Sequence, residues 1–523
     1  MTRFKAVLLG GVLALPAFAQ TDGKPERPNE DSLFGEPAKT DLSDQKAKED
    51  RPTQGGAADT AATHPIPPGN PSADELNLGG TPATDAFALG SVKEDALKIG
   101  GLFYVRAFGQ STQNEKLKDV RVNLPTLIDV YLDARPTERL RAEVLGRLQY
   151  DPFFSSSSFA NLPSSGSNTT TKAPQNPSVA LDQAFIAFDV ARTVFVTAGR
   201  QHVKWGTARF FSPTDFLASQ QRDPLAQFDA RLGVTMVRAS LPWEAKGWTF
   251  TAVALFEPTQ VGTAGSSGSD TGASGTSSTT QGGSKFGDIG GAVRAEFEVG
   301  NTAFGVDALA QRNRKSRVGV DVSSQLGPID VYGEAALKNG SDVPVYQVVV
   351  PADLSVGNPG VYRATQPKRG PLQVAGGANY SLALPNSRSL NFGLEYFFNS
   401  TGYTDAKIYP YLLFSGAFQP FYTGRHYGAA SVALLDTTAK ASYVLSNLGN
   451  LSDQSYLVRF DFRKTVLSYL AVEFFVDAHY GNRGGEFRLA FDSGPLALNG
   501  SSTGPIHIAA PLIDAGVGLR LSL

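Results

Sequence analysis

The chain has 523 residues, 54 Gly, no Cys, a charged fraction of 18% and a formal charge of −2. Without Cys there is no disulfide scaffold, thiolate zinc site or cysteine nucleophile, and the balanced charge leaves no basic footprint for nucleic acid. Beyond the N-terminus no apolar run reaches about 18 residues, which excludes a helical membrane protein.

Residues 1–19 read MTRFKAVLLGGVLALPAFA. Arg3 and Lys5 precede an apolar stretch over 6–15, and Ala17-Phe18-Ala19 is a small-x-small cleavage site. The pattern predicts a secretory signal peptide cut between Ala19 and Gln20, and export from a bacterial cytoplasm. Residues 20–96 then lack apolar periodicity and are rich in Pro, Asp, Glu and Lys, with 15 acidic and 7 basic residues up to position 95. Such a segment buries too little apolar surface to offset its ordering entropy, and reads as a disordered, acidic, Pro-rich periplasmic leader.

From Leu97 onward, segments of 8 to 14 residues alternate apolar and polar. In residues 140–150, Leu140, Ala142, Val144, Gly146, Leu148 and Tyr150 oppose Arg141, Glu143, Leu145, Arg147 and Gln149. A period of two is a strand with one apolar and one polar face. Eighteen strands are predicted, near 97–110, 126–135, 139–150, 180–190, 193–205, 231–241, 247–257, 288–299 and 302–311, then 316–326, 329–338, 372–382, 389–399, 426–435, 440–447, 455–463, 468–480 and 512–523. No Pro falls within these ranges, as paired strands require. The connections alternate between two- or three-residue turns and mostly long Gly/Ser/Pro-rich loops. Short turns on one rim and long loops on the other predict an all-β fold over 97–523, an antiparallel transmembrane β-barrel of 16–18 strands in outer-membrane lipid. Aromatics at Tyr150–Phe154, Trp205, Trp243, Trp248, Tyr396–Phe398 and Tyr480 are expected to form interfacial girdles.

A barrel of this size encloses a water-filled channel for small hydrophilic solutes. The alternation turns Arg106, Arg141, Arg147, Arg238, Arg294, Lys338, Arg459 and Arg520 inward. The inward acids are Asp129, Asp133, Glu143, Asp189, Glu257, Glu296, Glu298, Asp307, Asp330, Glu334, Glu395, Asp461, Glu473, Asp477 and Asp514. Opposite charges alternate along single strands, so the wall reads first as ion pairs and second as a solute-binding ladder.

The stretch Gly199 to Leu217, GRQHVKWGTARFFSPTDFL, together with the signal peptide and the alternating strands, resembles Gram-negative outer-membrane porins. Within them it is similar to the superfamily of the phosphate-selective porins, and Gly-Arg-Gln followed by Trp-Gly also resembles alginate-export-type barrels. The resemblance implies a diffusion channel, the barrel-assembly machinery as a partner, a homotrimer, and a third long loop, 206–230, folded inward as a constriction. Arg209, Asp215, Arg222 and Asp223 would then line it. Arg200, His202 and Lys204 share one strand face leading to the loop and are expected inward above it. Such porins commonly end in Phe, whereas this chain ends in Leu523. A phosphate pore needs a basic ladder that the wall does not display, so phosphate selectivity does not carry over.

No cofactor or metal is expected. The five His are scattered, with no HExxH, and the G-x-S-x-G match over 500–504 lies in a Gly/Ser loop instead of a strand-turn-helix. Two other functions stay open: a barrel hydrolase built on a Ser with His426 or His479, and a surface adhesion or structural barrel displaying its long loops.

Overall fold

The computed structural model describes residues 96–523 apart from 154–175, 219–220, 227–230, 257–288, 313, 343, 355–357, 359, 368–369, 495, 499–500 and 504. The expected signal peptide, Ala19, Gln20, the leader and Glu257 lie outside the described residues. One half of the barrel comprises β1 (Leu97–Thr112), β2 (Thr126–Thr137), β3 (Leu140–Tyr150), β4 (Ser178–Val190), β5 (Val194–Gln201), β6 (Val234–Trp243), β7 (Trp248–Leu255), β8 (Gly290–Val299) and β9 (Thr302–Gln311). The other comprises β10 (Arg314–Leu326), β11 (Ile329–Lys338), β12 (Leu372–Leu384), β13 (Arg388–Asn399), β14 (His426–Asp436), β15 (Ala441–Asn450), β16 (Ser455–Leu467), β17 (Leu470–Gly481) and β18 (Pro511–Ser522). Each strand pairs antiparallel with the next in sequence. β18 closes on β1, from Leu102 opposite Ser522 to Thr112 opposite Pro511. The sheet is therefore a closed 18-strand barrel, with a three-residue strand, Arg121–Asn123, added to β1.

Three prolines do enter strands, contrary to the expectation. Pro136 falls at a register shift between Ala134 and Thr137, Pro242 sits one residue from the end of β6, and Pro511 begins β18. All three are places where a missing ladder donor is tolerated. The loops also carry structure that alternation did not reveal. Among the described residues are a hairpin of Val345–Val350 with Val361–Thr365, short pairs near 491–508, and one helical turn and a half, α1 (Tyr409–Phe414).

The tight turn Ala191-Arg192 places two non-glycine residues at φ 54 and 56. A hairpin's right-handed twist demands such φ values, at roughly 1–2 kcal/mol per L residue. Asp189 offsets this: its carboxylate accepts from the Arg192 amide at 2.8 Å and from Arg139 at 2.7 Å.

Candidate functional site

The barrel is inside out by the standard of a soluble protein. Outward positions are apolar and bare: Val130, Leu132, Ile186, Val318, Val320, Leu337 and Leu394 are all exposed, Leu394 at 65%. Inward positions hold Asp129, Glu143, Arg147, Arg294, Asp307, Glu395, Glu473 and Arg520, all buried. A continuous exposed apolar belt costs about 25 cal/mol per Å² in water and nothing in hydrocarbon. At the short-turn rim Trp243, Trp248, Phe250 and Phe297 pack edge-on outside the wall. At the long-loop rim the Tyr396 hydroxyl meets His426, and Tyr480 accepts from Asn447. Two expected girdle residues are not there. Trp205 is 4% exposed inside the barrel, beneath Arg294, and Phe397 points inward. Trp205 lies past the end of β5, where strand alternation no longer sets its direction.

The loop between β5 and β6 crosses the interior. Its first half packs on the inner wall of β6–β11: Val203, Trp205, Phe216 and Leu217 cluster with Met236, Val253, Leu255, Leu309 and Ala336. Arg314 on β10 donates to the carbonyls of Phe216 at 2.7 Å and Ala218 at 3.3 Å. Phe211 stacks on Phe397 with centroids 4.6 Å apart, and meets Tyr422 and Tyr427. Five consecutive loop amides, from Thr207 to Phe211, end on two wall carboxylates. Thr207 and Ala208 donate to Glu334 on β11. Arg209, Phe210 and Phe211 donate to Glu395 on β13 at 2.9, 3.1 and 2.7 Å. Gly206, at φ 97, lets the backbone approach this closely, since a Cβ there would overlap the Glu334 carboxylate and the Thr214 hydroxyl.

The loop's own charges are largely engaged. The Arg209 guanidinium lies against the Asn379 amide, whose oxygen accepts from Nε at 2.9 Å in the orientation that satisfies both groups. Asp215 pairs with Arg231 at 2.8 Å, Asp223 accepts from the Leu225 amide, and the Arg222 carbonyl accepts from Tyr422. Lys204 donates to the Ala208 carbonyl at 3.4 Å. Phe228 and Asp229, further along the 206–230 loop expected to fold inward, lie outside the described residues.

Arg200, His202 and Lys204 do not share a strand face. β5 ends at Gln201, and its inward residues are Thr197 and Gln201. Arg200 lies opposite Thr235 and Ala184 on the outward face, so the inward expectation is corrected. His202 has left the strand and turns in to Asp182 at 2.8 Å. Asp182 is the extra residue of a bulge in β4, which turns it inward beside Gln183, where Arg147 also reaches it at 3.1 Å. No alternation rule gives that direction.

Many of the remaining wall charges pair, both along and across strands. Arg147 meets Asp129 at 2.9 Å, and Arg141 bridges Asp133 and Glu143. Arg294 joins Asp307, Asp321 and Glu296. Arg459 lies between Asp461 and Asp477, and Glu473 between Arg463 and Arg520. Arg106 rests on the Phe475 ring at 4.0 Å, with Arg459 at 4.8 Å from the same ring. Arg238 shares the inward face of β6 with Met236, and Lys338 that of β11 with Glu334. The rings of His426 and His479, the histidines of the hydrolase alternative, bond to the Tyr396 hydroxyl and the Phe487 carbonyl, His479 also lies 3.6 Å from Asp514, and the His426 backbone amide donates to the Ser452 hydroxyl at 3.0 Å. Among the described residues no His/Asp/Glu group has the makings of a metal site.

No family model matches the chain and no curated relative does. Solved structures similar to it include bacterial proteins, one of which is a porin by title. Acinetobacter baumannii OccAB1 is 12% identical over 84% of this chain and 98% of its own, with a TM-score of 0.44. Pseudomonas putida OprB is 9% identical over 82% and 94%, at 0.42. A mutant Rh. blastica porin is 8% identical over 82% and 100%, at 0.36. Scores this low carry no functional argument, which rests instead on the chain's own wall and loop.

Proposed function

We propose that the protein is an outer-membrane porin, a water-filled channel for passive or weakly selective diffusion of small hydrophilic solutes and ions, and not an enzyme. The observation that carries this is the inverted wall: an apolar exterior that suits lipid around a charged interior that holds water, with a loop drawn across the interior as a constriction. Backbone donors and acceptors are satisfied by closure, so the wall has no edge to desolvate.

The signal peptide over 1–19 and the leader over 20–96 belong to the same proposal, with leader and C-terminus on the periplasmic side, where the short turns lie. So do passage through the barrel-assembly machinery, a homotrimer, and a place beside the phosphate-selective porins or the alginate-export-type barrels. Of the expected constriction residues, His202, Lys204, Arg209, Asp215, Arg222 and Asp223 stay in the proposed site, and Arg200 leaves it.

Planar-bilayer recording of refolded protein in a KCl gradient tests the channel. Stable unit conductance is expected, and the sign of the reversal potential tells whether the wall acids or the loop cations dominate passage. A folded protein that never conducts sinks the reading and moves the adhesive and hydrolytic alternatives ahead of it.

A further inference from the structure

Glu334 and Glu395 occupy inward positions where strand alternation places wall charges facing water. Neither faces water: Glu334 is 3% exposed and Glu395 1%. Each accepts four hydrogen bonds, three of them from loop backbone amides. Glu334 takes Thr207, Ala208 and Thr214 amides and the Thr214 hydroxyl, the last at 2.8 Å. Glu395 takes Arg209, Phe210 and Phe211 amides and the Tyr332 hydroxyl, the last at 2.8 Å. A run of successive N–H groups aimed at one side is an anion-binding concavity. Here the wall's own carboxylates fill it. Charge-assisted bonds of this kind are shorter and stronger than neutral ones, and their lone pairs are consumed by the loop instead of being presented to the channel.

We propose that Glu334 and Glu395 are positioning residues that pin the loop across the lumen and thereby set the aperture, and are not charges that a passing solute meets. The proposal rests on the pore reading for its consequence but not for its geometry. An amide is the sharp probe. Gln keeps the shape, yet presents an NH2 donor to a ring of N–H donors and loses one acceptor oxygen.

The chain has no Cys, so one introduced thiol reports the loop without background. Ala208 is fully buried beneath the pin, and Ala208→Cys places a thiol there. Reaction of the folded, detergent-solubilised barrel with a charged maleimide is slow while the loop is pinned. Adding Glu334→Gln or Glu395→Gln is expected to speed labelling by about tenfold, the equivalent of one lost charge-assisted bond. Thr214→Val removes one donor and leaves every lumen charge in place, and is expected to speed labelling by a smaller factor. Labelling at the parent rate in the Gln variants overturns the pin, most plainly if the reversal potential shifts at the same time, because the carboxylates then act as wall charges. Should a Gln variant fail to fold, Thr214→Val decides: faster labelling supports the pin and an unchanged rate overturns it. Faster labelling in a protein that passes no current removes the pore and leaves the pin standing.

Discussion

The inner wall is two surfaces. Across β6–β14 it is a seat: Met236, Val253, Leu255, Leu309, Tyr332, Ala375 and Phe397 turn inward although the lumen is wet, and the loop covers them. From β16 through β18 to β1–β3 it is a charged surface, on which Arg106, Asp129, Arg141, Glu143, Arg147, Arg459, Asp461, Glu473, Asp477 and Arg520 meet one another along and across strands. The seat is held mainly by burial, with the Arg294, Asp307 and Asp321 network paired within it, and the charged wall by pairing. The two differ in what a single substitution exposes: a void under the loop in one, an unpaired charge in the other.

Four measurements sharpen or break that contrast. Phe211→Ala is expected to have the largest effect, about 3–5 kcal/mol lost at the seat, because Phe211 is fully buried among Phe397, Tyr422 and Tyr427. A drop in the denaturant midpoint together with noisier channel current is the expected result, and an unchanged midpoint would show that the loop does not contribute to the fold. On the charged wall, Arg147→Met strands Asp129, while Asp182 keeps His202 and the Gly233 amide, and is expected to cost about 3 kcal/mol by the same unfolding measurement.

The third prediction concerns pH at the long-loop rim. Glu486 is buried where three connections meet: it accepts from Tyr427 and Asn450, while neighbouring Asp453 accepts from Tyr409 and Asn450. Burial first, and then the charge of Asp453, push its carboxyl up to about 8, against the lowering effect of the Tyr427 bond. A carboxyl whose folded pKa is raised binds more protons folded than unfolded. Its stabilisation is therefore full below the ordinary carboxylate range and is lost as pH climbs to about 8. Proteolysis of the loops 400–425 and 482–510 is expected to quicken between pH 5 and about 8, and Glu486→Gln to flatten that rise. A rate that falls over the same interval would contradict the assignment. The smallest effect is expected at the short-turn rim. Arg139→Ala removes an exposed pair with Asp189 and should leave the unfolding midpoint nearly unchanged, with even less shift in high salt.

The barrel was legible because its alternation is regular. Leu140–Tyr150 shows the rule in full: Glu143, Leu145 and Arg147 buried, Val144 and Tyr150 exposed. The loop was legible as a crossing only through resemblance, although a signal lay in the sequence. Met236, Val253, Leu255 and Leu309 are apolar at inward positions near the long-loop ends of their strands, and an apolar inward patch in a wet lumen needs a cover. The roles of Glu334 and Glu395 were not legible, since a wall carboxylate and a carboxylate under a loop have the same alternation. Arg200 and Asp182 were misplaced or missed for a local reason: one strand ends early and the other bulges, and period two holds only within an unbroken ladder.

At the seam the amide of Gly101 donates to the carbonyl of Leu523 at 3.2 Å, and the amide of Leu523 returns a bond to Gly101 at 2.8 Å. The two ends of the barrel are thus already neighbours, joined in the same ladder as every other strand pair. The ring has no first strand in any energetic sense. A chain with a short linker from Leu523 to Leu97, reopened at the Gly327-Pro328 turn, keeps every rung of the sheet and should close to the same barrel.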